Sequence, residues 1–148
     1  MDKNKEVNSP YLHGTIPGGA WQQASCRGGM IPFTRMERVV FGVPAAQALV
    51  EEVIRLQKGR VFILCSKTLN RQTDAIRNIE DALGERFAGL YDEMPAHAPR
   101  EAVIACANAA RAASADLLVT VGGGSVTDGG KVVTICLEHD IREIDGLE

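Results

Sequence analysis

The sequence predicts an α/β fold: a parallel sheet with helices on both of its faces. Short apolar runs rich in β-branched residues recur at residues 38–41, 61–65, 87–91 and 117–121. Longer stretches with helical periodicity follow each of them, so strand and helix alternate along the chain. One of the runs, Val61-Phe62-Ile63-Leu64-Cys65, is apolar throughout, as expected of a strand covered on both sides. Alternation of this kind closes through right-handed crossovers and lays helices over a parallel sheet.

Residues 1–33 hold Pro10, Pro17 and several glycines but no hydrophobic period, and read as an extended arm, partly disordered. Trp21 within it is the only tryptophan and offers an anchor to the body or to a partner chain. The domain proper is assigned to residues 34–148. Residues 38–41 form its first strand, stopped by Gly42. Pro44 suits the first turn of a helix, where its missing N–H costs nothing. Ala46, Leu49, Val50, Val53 and Ile54 then recur at helical spacing, with Gln47, Glu51, Glu52 and Arg55 opposite and Gly59 as the expected stop. After the strand at 61–65, a second helix is predicted over 70–83, with Ile76, Ile79 and Leu83 inward and Gly84 closing it. Residues 87–91 form a weaker strand, Pro99 opens an alanine-rich helix to about residue 113, residues 117–121 form the fourth strand, and a last helix covers 125–138.

The 148 residues suffice for one domain with a core, and 45% hydrophobic with 24% charged residues is ordinary for a globular protein. A net charge of −3 gives no reason to expect nucleic acid or an anionic membrane surface as a partner. No apolar stretch approaches the length of a membrane span, and residues 1–9 lack the apolar segment of a secretory signal, so a cytoplasmic location is expected. Cys65, Cys106 and Cys136 lie in apolar segments, and no pair, Cys26 included, has Cys-x-x-Cys spacing. They read as buried thiols of a reducing compartment, not as a disulfide or zinc framework.

The chemistry concentrates at Val121-Gly122-Gly123-Gly124-Ser125-Val126-Thr127-Asp128-Gly129-Gly130-Lys131, between the fourth strand and the last helix. In open α/β sheets, ligands bind beyond the carboxyl ends of the strands. Consecutive glycines there permit positive φ and let backbone approach a ligand. With the first helical turn and the Ser125 hydroxyl, their N–H groups make an anion site suited to pyrophosphate. The plainer alternative is a tight turn with Ser125 as helix N-cap. Gly129 and Gly130, each costing a helix about 0.5–1 kcal/mol relative to alanine, call for a close approach by ligand or neighbouring backbone. The P-loop pattern fails at Ser125 and Val132, and the G-x-G-x-x-G pattern fails at Thr127.

Gly-Gly-Gly-Ser-x-x-Asp-x-x-Lys after an apolar strand resembles the hallmark of the iron-containing alcohol dehydrogenases, and Gly122 to Lys131 match it throughout. Phe41-Gly42, Ser66-Lys67-Thr68-Leu69 and His97-x-Pro99 also sit in family-like places. The resemblance implies the Rossmann-like amino-terminal domain shared with dehydroquinate synthase. It further implies an oxidoreductase using NAD or NADP on a small alcohol and its aldehyde or ketone. In that reading Gly122, Gly123, Gly124 and Ser125 hold the pyrophosphate, Asp128 faces the nicotinamide end, and Lys131 supports the pocket. Without the family pattern, Asp128 and Lys131 read as an i,i+3 ion pair. Ser66, Thr68 and Leu69 fall where the family binds the adenosine end. Many NAD-preferring members carry Asp at the place of Ser66, and a carboxylate there would repel a 2′-phosphate, so NADP is expected to be accepted. The His97-x-Pro99 variant, with Ala98 where the family often has Asn, is similar to the maleylacetate reductase branch, whereas Asp128 departs from it.

The same resemblance implies a second, helical domain supplying Asp and His ligands to Fe(II) or Zn. That domain is expected to follow Glu148, so the chain reads as a truncated cofactor-binding half, weak in binding and without turnover alone. His13, His97 and His139 lack metal-ligand spacing, and neither a metal site nor a catalytic residue is assigned. A lyase similar to dehydroquinate synthase and a non-catalytic nucleotide-binding module are the competing readings. Homodimer formation through residues 38–41 is a further expectation from the family.

Overall fold

The computed structural model describes residues 29–31 and 36–147. Most of the expected arm, Trp21 and Cys26 included, lies outside them. Contacts divide the chain at Val43 into two units.

The first unit contains strands β1 (Gly29–Ile31) and β2 (Val39–Phe41), paired antiparallel with Met30 opposite Val40. This corrects two expectations. The chain already forms a strand at 29–31, and the strand predicted at 38–41 joins this ladder instead of the parallel sheet. A short connection returns a chain only antiparallel to itself, since parallel neighbours need a crossover of a dozen residues or more.

The second unit follows the predicted alternation through α1 (Ala45–Arg55), β3 (Val61–Cys65), α2 (Lys67–Gln72), α3 (Ala75–Leu83), β4 (Phe87–Tyr91), α4 (Arg100–Ala112), β5 (Leu117–Val121) and α5 (Gly124–Glu138). Its sheet is parallel, in the order β4-β3-β5, with Ile63 opposite Leu90 on one side and Val119 on the other. The wholly apolar β3 is thus the central strand, and each of its five residues is at most 3% exposed. Val61, Ile63 and Cys65 enter one core with Val53 of α1 and Ile76, Ile79 and Leu83 of α3. Phe62 and Leu64 point to the other side and meet Val103, Cys106 and Ala107 of α4 and Val126, Val133 and Cys136 of α5. Each large side chain so buried contributes about 1.5–3 kcal/mol. The predicted two-faced parallel fold is therefore what this unit forms. Cys65, Cys106 and Cys136 are free and buried, as their apolar settings require.

Two helix ends differ from expectation. Helix α1 stops at Leu56, and Gln57, not Gly59, takes the left-handed conformation, with φ of 55°. Gly59 serves the next turn, where its N–H and that of Arg60 donate to Asp116 at 2.9 and 2.8 Å. The helix predicted over 70–83 starts earlier and is broken. Ser66 caps α2, and Thr73 is extended, its hydroxyl donating to Leu69 O at 2.6 Å and accepting from Ala75 N–H at 3.2 Å. That hydroxyl finishes one helix and begins the next, a competition with helical bonding typical of threonine. Gly84 closes α3 with φ of 53°, as predicted.

Candidate cofactor-binding site

Parallel strands put all their carboxyl ends on one rim, where β3 gives way to Ser66, β4 to Asp92 and β5 to Gly122. After β3 the chain leaves toward the core that holds α3, since Leu69 of α2 packs there, whereas α5 packs into the opposite core. The loops of adjacent strands thus part to opposite faces, and such a parting opens the crevice in which α/β sheets bind ligands. Ser66 and Gly122 form its floor. Ser66 N–H donates to Val121 O at 3.0 Å, and a Cβ added to Gly122 would come within 3.3 Å of Ser66 Cβ and 2.9 Å of Val126 Cγ2.

The glycines above that floor obey different constraints. Glycine at 122 is required by its neighbours. Around Gly123 and Gly124 an added Cβ meets nothing within 4 Å, and neither residue has positive φ. This corrects the expectation that the turn uses glycine for left-handed backbone. Gly123, extended with φ of −84°, is itself the N-cap of α5. The helical ladder starts with Val126 and Thr127 N–H, both 3.1 Å from Gly123 O. The amides of Gly124 and Ser125 precede it, on an exposed edge, at the positive end of a 15-residue helix. The pair Gly129-Gly130 has a packing cause instead. A Cβ at Gly130 would run into Thr120 Cγ2 of β5, and one at Gly129 would lie 3.0 Å from Met94 and 3.3 Å from Ala98 Cβ. Those two glycines therefore lower α5 onto the sheet and onto the loop after β4, and they are not themselves signs of a ligand.

Ser125 lies inside α5 and is not its N-cap, because Gly123 already starts the helix. Its Oγ accepts a hydrogen bond from the His97 amide at 3.3 Å. His97 and Ala98 both have positive φ, 66° and 44°, although neither is glycine. Each such residue costs on the order of 1–3 kcal/mol and persists only where its surroundings hold it. Ala98 N–H closes the turn by donating to Pro95 O at 3.2 Å.

Ser66 Oγ accepts from Leu69 N–H at 3.3 Å, so the residue predicted at the adenosine end also caps α2. Thr68 is exposed and Leu69 half-buried against the core. Asp128 and Lys131 form the 2.9 Å i,i+3 ion pair that sequence alone favours, with both side chains 70% exposed. The structure brings Ser66, Gly122 and Ser125 to one rim and sets Asp128 and Lys131 on the open face of α5.

Sequence reasoning missed Asp92. Its carboxylate, 10% exposed at the end of β4, accepts from Arg71 Nε at 2.9 Å and Asn70 Nδ2 at 3.0 Å. These bonds hold its pKa below the ordinary range, the Arg71 bond first and the Asn70 bond second, against the effect of burial. Glu93 adds a 3.4 Å contact to Arg71 and one of 3.8 Å to Lys67. The network ties α2 to the loop that carries His97. Nothing local marks it, because its partners are about 20 residues apart.

Among the described residues, no group of three or more His, Cys, Asp or Glu side chains converges as a metal site would require. No helix among them is long and apolar enough to cross a membrane.

The family model of the iron-containing alcohol dehydrogenases matches residues 36–147, and the chain belongs to that family. Maleylacetate reductase 2 of Cupriavidus pinatubonensis is 39% identical over 105 residues, covering 71% of this chain and 28% of that protein. Dehydrogenase FUM7 of Gibberella moniliformis is 31% identical over 108 residues, 72% of this chain and 25% of that one. The crystal structure of maleylacetate reductase from Rhizobium sp. strain MTP-10005 superposes with a TM-score of 0.59 at 31% identity, over 66% of this chain and 27% of that one. The chain thus spans about a quarter of the length of these relatives.

Proposed function

We propose that this chain is the NAD(P)-binding part of a metal-dependent oxidoreductase. The complete enzyme then interconverts an alcohol with its carbonyl compound, or reduces an unsaturated keto acid of the maleylacetate kind. The observation that carries this reading is the pair Gly123-Gly124. The fold uses neither residue for positive φ or for close packing, yet both stand exposed at the positive end of α5. A diphosphate supplies the missing reason, since its oxygens approach backbone amides only where no Cβ stands between. Membership of the family and the maleylacetate reductases among the relatives support the same assignment.

The amides of Gly124 and Ser125 and the Ser125 hydroxyl bind the diphosphate. Ser66, with Thr68 and Leu69 behind it, receives the adenosine ribose, and Asp128 and Lys131 border the nicotinamide side of α5. Ser66 places no negative charge at the ribose, which leaves room for a 2′-phosphate. When bound, the nicotinamide gives or takes the hydride. The described residues do not fit the family's metal, because no three His, Cys, Asp or Glu side chains among them converge.

Titration of the 148-residue chain with NADH and NADPH, followed by nicotinamide fluorescence and ³¹P resonance, tests the reading. Saturable binding that Gly124→Ala weakens at least about tenfold, while the melting temperature holds or rises, is the expected result. No binding at millimolar cofactor, or binding indifferent to that substitution, refutes it.

A further inference from the structure

The turn at residues 95–98 packs against the first half of α5, at Ser125 and Gly129, and has no part in the assignment above. Three observations bear on it. Its backbone is left-handed at His97 and Ala98, a conformation that turns normally reserve for glycine or asparagine at the third position. Its His97 amide donates to Ser125 Oγ at 3.3 Å, 28 residues away in sequence. Finally, the loop is fastened at both ends. Asp92 is gripped by Asn70 and Arg71, and Met94 and Ala98 fill the space that the missing side chain of Gly129 leaves.

We infer that the His97 amide is a positioning group for the Ser125 hydroxyl in cofactor binding. A serine hydroxyl rotates freely and can either give or accept a hydrogen bond. A bound diphosphate offers only acceptors, so the useful state of Ser125 is the one whose proton points to the ligand. By donating to Oγ, the His97 N–H occupies the accepting side and leaves the proton to the ligand. Left-handed backbone aims this amide at α5, and the Asp92 anchor with the Gly129 contact keeps it there. The His97 imidazole itself is not required. This inference rests on the diphosphate reading and adds a residue to it.

The test is a double-mutant cycle on NADPH affinity in the whole 148-residue chain. His97→Pro removes the donor and, because proline cannot take the φ of 66° found there, also displaces the turn; Ala98→Val, whose branched side chain resists positive φ, displaces the turn while leaving the His97 N–H chemically present. Each is made alone and with Ser125→Ala. Either is expected to weaken NADPH about fivefold in the Ser125 background, the worth of one ordinary hydrogen bond, and to cost nothing further beside Ser125→Ala. His97→Gly, which keeps the amide and accepts the backbone angle, retains wild-type affinity. In the cofactor-free chain, Ser125→Ala accelerates exchange of the His97 amide proton. Equal losses in both backgrounds, loss of affinity in His97→Gly, or unchanged amide exchange overturns the role given to His97 and leaves the diphosphate site standing. Failure of the unaltered chain to bind NADPH overturns both.

Discussion

A methyl group is the finest probe of the glycine-rich turn, and adding one should separate fold from function residue by residue. At Gly122 it comes closer to Val126 and Ser66 than van der Waals contact allows, so Gly122→Ala is expected to cost about 1–3 kcal/mol as local overpacking. At Gly124 it meets nothing, and alanine is the better helix former, so Gly124→Ala should leave stability level or raise it by up to about 1 kcal/mol. The same change should weaken cofactor binding at least about tenfold, equivalent to about 1.4 kcal/mol. Thermal melts beside NADPH titrations of both variants check this, and a destabilised Gly124→Ala would contradict the open space around it. Asp92 supplies the second residue-scale prediction. Its two charged or polar donors make Asp92→Asn cost about 1–2 kcal/mol, with the half-exposed Arg71 keeping the figure low. Because the folded carboxyl is held below its ordinary pKa, its contribution is complete above the carboxylate range and is lost as pH falls through the lowered value. Urea midpoints at pH 7 and pH 3 should therefore differ less for Asp92→Asn than for the unaltered chain.

At the scale of elements, the interior thiols report how well the two cores are sealed. Burial pushes Cys65 up to about 11 and Cys106 up to about 12, with Asp92 and Glu80 adding to the first and Cys65 to the second. An acid whose pKa rises on folding stabilises the fold below its unfolded pKa, about 8.5, and withdraws that support as pH climbs through the folded value. Alkaline unfolding above pH 9 is therefore expected, and at neutral pH a thiol reagent should label these cysteines only as fast as the sheet opens. Rapid labelling in native buffer would argue against the packing of β3 and α4. Much of this level was legible in advance, and for a physical reason. The run Val61–Cys65 is apolar at every position, and α3 repeats Ile76, Ile79 and Leu83 at helical spacing, so composition and period agree on local structure. The break at Thr73 escaped because a hydroxyl bonding to its own backbone leaves no mark on the hydrophobic period. Strand β1 escaped because three residues beginning with glycine show no alternation. The Asp92 network and the His97 bond escaped because both join residues that only the folded sheet brings together. In the candidate site, the motif assigned to left-handed backbone what close packing and open access explain.

For the molecule as a whole, the proposed function assigns cofactor choice to the rim. Ser66 carries no charge, and Lys67 and Arg71 follow it, although both already lean toward Glu93. NADPH should therefore bind at least as tightly as NADH, and Ser66→Asp should reverse the order by electrostatic repulsion of the 2′-phosphate. Much tighter NADH binding by the unaltered chain would remove Ser66 from this account. Association of two chains through residues 38–41 remains a separate proposal, in which only the side of β2 not facing β1 is available. A monomer by light scattering at micromolar concentration would count against it.

The contact between Gly130 and Thr120 has a consequence beyond stability. Those two positions set how deeply the last long helix is seated on its strand, five residues beyond Ser125, whose hydroxyl is the proposed ligand contact. A single carbon inserted there acts as a shim under a lever: it raises the middle of the rod and so tilts its tip. If the proposed function holds, affinity for a dinucleotide is adjustable from a place that never touches one, and variants at Gly130 should shift it without altering Gly124, Ser125 or Ser66.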